Sequence, residues 1–103
     1  MNLEEFQTVT VTRDLTPNWF YNTGCQYPLV CPKGTKVKSL GVYKNYYGTW
    51  AEVEYEGRIN YCFLKDLDKY IIEKKEISYF DAPSCRNISA IVYRMNTGEE
   101  YIL

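Results

Sequence analysis

Two stretches decide the fold of this chain: PKGTKV at residues 32–37 and WAEVEYEG at residues 50–57. In the second stretch Ala51 and Val53 alternate with polar residues, which is the period of a half-buried β-strand. The glycine of the first stretch sets a turn ahead of a strand, and Glu56-Gly57 is a tight hairpin tip. Short strands joined by turns roughly every eight to twelve residues predict a small antiparallel barrel.

The remaining segments predict further strands around this centre. Residues 6–12 form a strand with Val9 and Val11 inward, residues 35–42 a second with Val37 inward, and residues 58–63 a third, followed by a helical turn near residues 65–68. Residues 14–17 end the first strand, and residues 18–30 form an irregular hairpin with its tip at Asn22-Thr23-Gly24. Residues 81–84 are a break, and residues 88–95 and 99–103 flank a second tip, Asn96-Thr97-Gly98. We therefore predict a mainly β fold, with a barrel at residues 1–75 and a C-terminal strand and β-hairpin at residues 76–103 that packs on or extends it.

The bulk composition is that of one ordinary globular domain. The chain has 103 residues, of which 46% are hydrophobic and 24% charged, and its formal net charge is −1. Such a balance disfavours attraction of the whole molecule to nucleic acid or to an anionic membrane. No stretch approaches the roughly 20 apolar residues that cross a bilayer, and residues 1–5 lack the features of a signal peptide. We therefore expect a cytoplasmic protein without a membrane partner.

The central run, from PKGTKV through YYGTWAEVEYEGR to YCFLKDL, resembles the bacterial SH3-like (SH3b) domains over about residues 6–70. The matching positions are Pro32 to Val37, Trp50 with Val53, Gly57, Tyr61 and Leu67. The resemblance implies an SH3-like barrel that acts as a non-enzymatic binding module, often for cell-wall peptides and sometimes for proteins. The chain departs from the family at Asn60-Tyr61-Cys62, where Gly-Trp-Val is usual, and it lacks the tandem tryptophans of polyproline-binding SH3 domains.

The residue types that carry most enzymatic chemistry are missing from the chain. It has no histidine, which removes Ser-His and Cys-His pairs and the commonest metal ligand and general base. It also has no glycine-rich phosphate loop, so we do not expect an enzyme. The four cysteines, Cys25, Cys31, Cys62 and Cys85, are interpreted as reduced thiols rather than a disulfide framework, and their spacing lacks the close pairs of a structural zinc site. No cofactor or metal is predicted.

Aromatic residues give the strongest functional signal. The chain has eleven tyrosines, and the predicted loop at residues 18–30 carries Trp19, Phe20, Tyr21 and Tyr27. Either these rings fold back over the barrel as a lid, or some stay exposed with Tyr46, Tyr47 and Trp50 to form an aromatic-lined groove, because exposed aromatic clusters mark interfaces. The predicted partner-binding residues are therefore Trp19, Phe20, Tyr21, Tyr27, Tyr46, Tyr47 and Trp50.

These observations predict an intracellular protein-binding module. Small size, the missing catalytic residues and an abundance of residues with AT-rich codons fit an accessory protein of a phage or mobile element that occludes a host protein surface, as inhibitors of host defence do. Two alternatives stay open: a peptidoglycan-binding module, and a single-stranded nucleic-acid binder that uses Lys33, Lys36, Lys38 and Lys44 with Tyr43, Tyr46 and Tyr47. The apolar C-terminal hairpin also leaves open a homodimer through its free edge.

Overall fold

The computed structural model describes residues 1–15, 21–22 and 31–103, and for residues 21–22 it describes the backbone only. The described chain is mainly β with two antiparallel sheets, which confirms the predicted fold class. Its elements are α1 (Leu3–Gln7), β1 (Thr8–Thr10), β2 (Tyr21–Asn22), β3 (Lys36–Asn45), β4 (Gly48–Tyr55), β5 (Arg58–Cys62), a 3-10 turn (Leu64–Asp66), β6 (Ile71–Asp81), β7 (Arg86–Met95) and β8 (Glu100–Ile102). The first sheet has the strand order β1-β3-β4-β5-β2, and the second has the order β6-β7-β8.

The first sheet wraps around the core because the chain returns to β1 after β5. Strand β1 pairs with β3 along one edge, and the end of the 3-10 turn and the residues after it bond to the other edge of residues 10–12. There the Thr12 amide donates to the Asp66 carbonyl oxygen over 2.8 Å, and the Asp68 amide donates to the Thr10 carbonyl oxygen over 3.0 Å. The Asp66 carboxylate, almost fully buried, forms an ion pair of 2.7 Å with Arg13. The core enclosed in this way contains Phe6, Val9, Val11, Leu15, Cys31, Val37, Ala51, Val53, Cys62, Leu67, Ile71, Tyr93 and Met95.

The tight hairpin predicted at Glu56-Gly57 is confirmed. These two residues connect β4 to β5 with φ angles of 53° and 75°, as a type I′ turn requires at both central positions. Its twist matches that of the flanking strands, and it sets the register in which Val53 lies opposite Asn60. Ala51 and Val53 are buried, as the alternation predicted.

The N-terminal strand begins later than predicted, because residues 3–7 are a short helix. The Asn2 side-chain oxygen accepts a hydrogen bond from the Glu5 amide over 2.8 Å, and Glu4 and Glu5 occupy the first turn. A side-chain cap and early acidic residues both favour a helix N-terminus. Phe6 still enters the core, so the prediction of a strand from residue 6 was wrong in its start. Val9 and Val11 are buried as predicted.

The second sheet is built on one long hairpin. Strands β6 and β7 pair from Ile71 with Met95 to Asp81 with Arg86, so the predicted break at residues 81–84 lies in the turn that joins them. The predicted tip at Asn96-Thr97-Gly98 connects β7 to β8. Eleven residues of β6 extend over roughly 35 Å, which accounts for the elongated shape of 53 × 29 × 23 Å.

The base of this hairpin shares the core of the first sheet. The Ile71 amide donates to Ser39 Oγ over 2.8 Å, and Ser39 lies at a β-bulge in β3. Ile71 and Met95 are fully buried in the common core, and the Phe6 and Tyr101 rings lie 5.5 Å apart. The predicted domain boundary at residue 75 therefore falls inside β6, a few residues beyond the anchored base.

Candidate protein-binding surface

The outer face of the first sheet carries a row of aromatic side chains. Since Ala51 and Val53 point into the core, Trp50 on the same strand points outward. The register places Tyr43 opposite Trp50 and Tyr61 opposite Glu52, and directly opposed residues share a face. We name this surface, formed by Tyr43, Trp50, Tyr61 and Phe63 and continued by Tyr46 and Tyr47 at the hairpin tip, the aromatic face.

The rings of the aromatic face pack against one another across the strands. Trp50 and Phe63 are stacked, with ring centroids 4.8 Å apart and an interplanar angle of 19°. The Lys65 ammonium lies 5.6 Å from the centroid of the Phe63 ring. Tyr43 and Tyr61 are 5.0 Å apart and tilted by 45°. Each such pair contributes about 0.5–1.5 kcal/mol beyond burial, so the face is ordered before any partner arrives.

One asparagine organises the tip of the β3–β4 hairpin. The Asn45 side-chain oxygen accepts hydrogen bonds from the amide of Tyr47 (2.9 Å), from the amide of Gly48 (3.1 Å) and from Trp50 Nε1 (3.3 Å). An asparagine that bonds to the backbone two residues on is a usual way to stabilise a turn. Asn45 thereby couples the turn to the indole of the aromatic face.

The turn presents two tyrosines to solvent. The side chains of Tyr46 and Tyr47 are 96% and 85% exposed, and their rings meet edge to face at 5.5 Å. Large rings held in one arrangement but left uncovered are an exposed aromatic cluster. These two residues are the most accessible part of the aromatic face.

The charges on the aromatic face are mixed. Glu54 lies opposite Lys38 across the strands, as expected for an outer face with cross-strand charge pairs. Burial raises the pKa of Tyr61 from its usual value, and the neighbouring Glu52 and Tyr43 add to this rise. The Tyr61 hydroxyl therefore stays protonated at neutral pH and can donate a hydrogen bond to a partner.

The lysines of the predicted nucleic-acid patch are divided between the two faces of the sheet, since Lys38, opposite Glu54, lies on the aromatic face. Lys44 adjoins Tyr43 on β3, so strand alternation places it on the opposite face. Lys36 is paired with β1, where its ammonium reaches Thr10 Oγ1 at 3.5 Å. Lys38 faces an acidic residue and Lys44 lies on the other face, so these two lysines do not together line the rings as the positively charged groove of a single-stranded nucleic-acid binder does.

The predicted partner-binding residues are described in part. Tyr46, Tyr47 and Trp50 belong to the aromatic face, with Trp50 half-buried. Tyr21 is described by its backbone, which pairs with Tyr61 at the sheet edge. Trp19, Phe20 and Tyr27 lie outside the described residues, and so does the remainder of the predicted loop tip beyond Asn22. The choice between a lid and an open groove therefore stays a prediction.

Three members of the aromatic face were not among the predicted protein-binding residues: Tyr43, which was named only for the nucleic-acid alternative, Tyr61 and Phe63. The signal was present, since Ile59, Tyr61 and Phe63 alternate and so follow one side of a strand. Their ring contacts depend on the β4–β5 register, which places Glu52 beside Tyr61. The alternation in the sequence predicts which face of the sheet these side chains occupy, but the register of β4 with β5 determines which side chains they contact.

The described cysteines are free thiols. Cys31 and Cys62 are buried, and Cys85 is exposed at the β6–β7 turn. Burial raises the pKa of Cys62 to about 12, with smaller contributions from Asp66 and Cys31, and burial likewise raises the pKa of Cys31. In the part of the chain that the structure describes, no three or more Cys, Asp or Glu residues come together in a group that could hold a metal ion. Cys25 lies outside that part.

Comparisons with known proteins identify no similar protein or family. No protein-family model matches the chain, no curated protein matches it, and no solved structure matches it. Among the helices of the described residues, none has the length and apolar character needed to cross a membrane. The resemblance to bacterial SH3-like domains stays a prediction.

Proposed function

We propose that this protein is a non-enzymatic protein-binding module whose partner contacts the aromatic face. The observation that carries the proposal is the continuity of this face: the stacked Trp50–Phe63 pair and the tilted Tyr43–Tyr61 pair lie beside the hairpin tip, where Tyr46 and Tyr47 are 96% and 85% exposed. Tyrosine and tryptophan are enriched at the centres of protein interfaces, where a few of them supply most of the binding energy.

The side chains of the aromatic face are already held in fixed positions, and this favours tight binding. Immobilising a free side chain costs about 0.5–1.5 kcal/mol on association. Here the Trp50 indole is already held by Asn45 and by stacking on Phe63, so a partner meets rings in fixed positions. The tyrosine hydroxyls at the rim provide donors and acceptors, which suits a protein surface with both apolar and polar groups.

The narrower proposal is that the partner is a host protein in the cytoplasm, occluded by an accessory protein of a phage or mobile element. The free thiols of Cys31, Cys62 and Cys85 support a reducing compartment. The support for a phage or mobile-element source is compositional, and the resemblance to SH3b domains keeps peptidoglycan as the competing ligand. Lys44 lies on the face opposite to these rings, which disfavours single-stranded nucleic acid as the ligand of the aromatic face.

A capture experiment with matched variants tests the proposal. Tagged wild-type protein, the double variant Y46A/Y47A and the control F80A are each incubated with lysate from a low-GC bacterium, and bound proteins are quantified by mass spectrometry. Phe80 is a suitable control because it is 63% exposed and belongs to the second sheet. We expect one stoichiometric protein that Y46A/Y47A loses and F80A keeps, with a Kd that rises by at least about tenfold, or about 1.4 kcal/mol, when the pair is measured in purified form.

Three results would contradict the proposal. A captured protein retained equally by all three baits would show that the aromatic face is not its site. Retention on purified peptidoglycan without any protein partner would establish the wall-binding alternative. Affinity for single-stranded DNA that falls steeply with salt would establish the nucleic-acid alternative. Circular dichroism and thermal unfolding of each variant confirm that its fold is intact.

A further inference from the structure

The distal half of the β6–β7 hairpin is a two-stranded ribbon. Strand β8 pairs with β7 at residues 92–94 and through reciprocal backbone hydrogen bonds between Ile91 and Leu103. Beyond that point β6 and β7 have no third strand among the described residues, and side chains 72–80 of β6 are exposed apart from the half-buried Ile77. A hairpin of this kind is marginally stable in water without a third strand or a covering element.

Among the described residues, no strand pairs with the outer edge of β6. The Ile71 amide is bonded to Ser39 Oγ, and residues 73–80 pair with β7 on the inner side. An edge strand with free amide and carbonyl groups is a template for another strand. No proline interrupts the strand from residue 71 to residue 81.

One face of this edge has apolar side chains between two opposite charges. The register pairs Ile77 with Ala90 and Tyr79 with Ile88, so these four residues lie on one face. Lys75 precedes them on the same face of β6, and Asp81 follows them. Along β6 this face therefore carries a positive charge, then apolar side chains, then a negative charge. An antiparallel copy of the same strand places its negative end opposite the positive end, so the two copies are complementary.

We propose that two copies of this chain pair through their β6 edges, antiparallel and centred on Ser78. In this arrangement Ser78 lies opposite Ser78 of the second copy, Ile77 lies opposite Tyr79, and Lys75 lies opposite Asp81. Aromatic–β-branched pairs and opposite-charge pairs are both favourable when directly opposed across antiparallel strands. The contact is isologous, so a two-fold axis closes the dimer and leaves no further β6 edge free.

Neighbouring registers are less favourable, because they oppose like charges or set apolar side chains against charged ones. Moving the centre to Ile77 sets Glu73 opposite Asp81, and moving it to Glu76 sets two copies of Glu76 against each other. Moving it to Tyr79 sets Ile77 opposite Asp81. A slip that places Ile77 opposite Ser78 mixes the apolar and polar faces. The register centred on Ser78 joins unlike charges and keeps apolar residues together.

Cysteine cross-linking tests this register. Directly opposed residues of antiparallel strands have Cα atoms roughly 4.5–5.5 Å apart, which is within the Cα range of disulfides, so S78C should cross-link to its copy. Ser89 is the direct neighbour of Ser78 on β7 and is the matched control, because the two copies of Ser89 are separated by three strand spacings, roughly 14 Å. Both variants are made with C85S, which removes the exposed thiol of the described residues, and with C25S, because Cys25 lies outside those residues. Mild oxidation should give a dimer with S78C, mapped to residue 78 by mass spectrometry, and none with S89C.

A charge exchange tests the same contact in solution. In sedimentation velocity we expect the wild-type protein to dimerise, and K75E and D81K each to dimerise at least tenfold more weakly, because each homodimer opposes like charges. An equimolar mixture of K75E and D81K should recover dimers, since both contacts are then of unlike charge. The change K44E, an exposed lysine on β3, is the control and should leave dimerisation unchanged.

The proposal is overturned by any of three results. One is a wild-type protein that stays monomeric up to about 100 μM, which corresponds to a contact weaker than about −5.5 kcal/mol. Another is cross-linking of S89C as efficient as that of S78C. The third is a mixture of K75E and D81K that dimerises no better than either variant by itself.

Discussion

Replacing Ser39 by alanine tests how the second sheet is attached to the first. Ser39 is fully buried at the bulge of β3, and its hydroxyl oxygen accepts a hydrogen bond from the Ile71 amide over 2.8 Å. Its carbonyl oxygen also accepts a hydrogen bond from Gln7 Nε2 over 3.1 Å. The substitution removes the first bond and leaves the second, so it isolates the link between β3 and β6.

The magnitude follows from the burial of Ile71. That residue is fully buried, so its amide cannot turn to water when the hydroxyl is removed. A buried donor left without an acceptor costs about 1–3 kcal/mol. In a domain of this size each kcal/mol lowers Tm by roughly 4–8 °C, so a decrease of at least several degrees is expected for S39A.

Two measurements check this result. Urea unfolding gives the loss of unfolding free energy, and native-state hydrogen exchange followed by NMR reports the protection of the Ile71 amide. The variant S89A makes the same chemical change at an exposed position and should alter stability by no more than about 0.5 kcal/mol. If S39A behaves like S89A and the Ile71 amide keeps its protection, the hydroxyl is not what anchors β6.

Two further outcomes follow from local chemistry. Burial raises the pKa of Cys62 to about 12 from 9.0, so between these pH values the folded state keeps a proton that the unfolded state loses. The unfolding free energy should therefore fall as the pH rises from 9 towards 12, and it should fall less steeply in C62A. A thiol reagent at pH 8 should label Cys85 but not Cys62. Glu56 has a φ of 53°, which asparagine tolerates better, but its side chain also hydrogen-bonds to Tyr55. We expect E56N to raise the unfolding free energy by up to about 1 kcal/mol in chemical denaturation; a decrease would show that the lost hydrogen bond to Tyr55 outweighs the relief of backbone strain.

Much of the fold could be predicted from local patterns. Alternation identified Val9, Val53 and their neighbours as core residues, and turn chemistry identified the hairpin at Glu56-Gly57. These predictions succeed because side-chain period and positive φ are properties of a few adjacent residues. The start of β1 was missed for an equally local reason, since the Asn2 cap favours a helix over residues that also alternate.

The candidate site was predicted less completely. Tyr46 and Tyr47 follow from a turn between two strands, and both are exposed. The partners of Trp50 and Tyr43 do not follow, because Phe63 and Tyr61 are brought to them by the register of β4 with β5. Register is a long-range property, and a slip of one residue would turn every side chain to the other face.

The sequence by itself determined that this chain is mainly β, that its turns lie where glycine and asparagine permit them, and that it is rich in aromatic side chains. The tertiary structure decided which rings share a face, where β6 leaves the core, and which edge stays unpaired. The bulge at Ser39 shows the reason: it shifts the β3–β4 register and places a hydroxyl on the Ile71 amide, 32 residues away along the chain. Contacts of that kind depend on loop closure and shared burial, which no local pattern encodes.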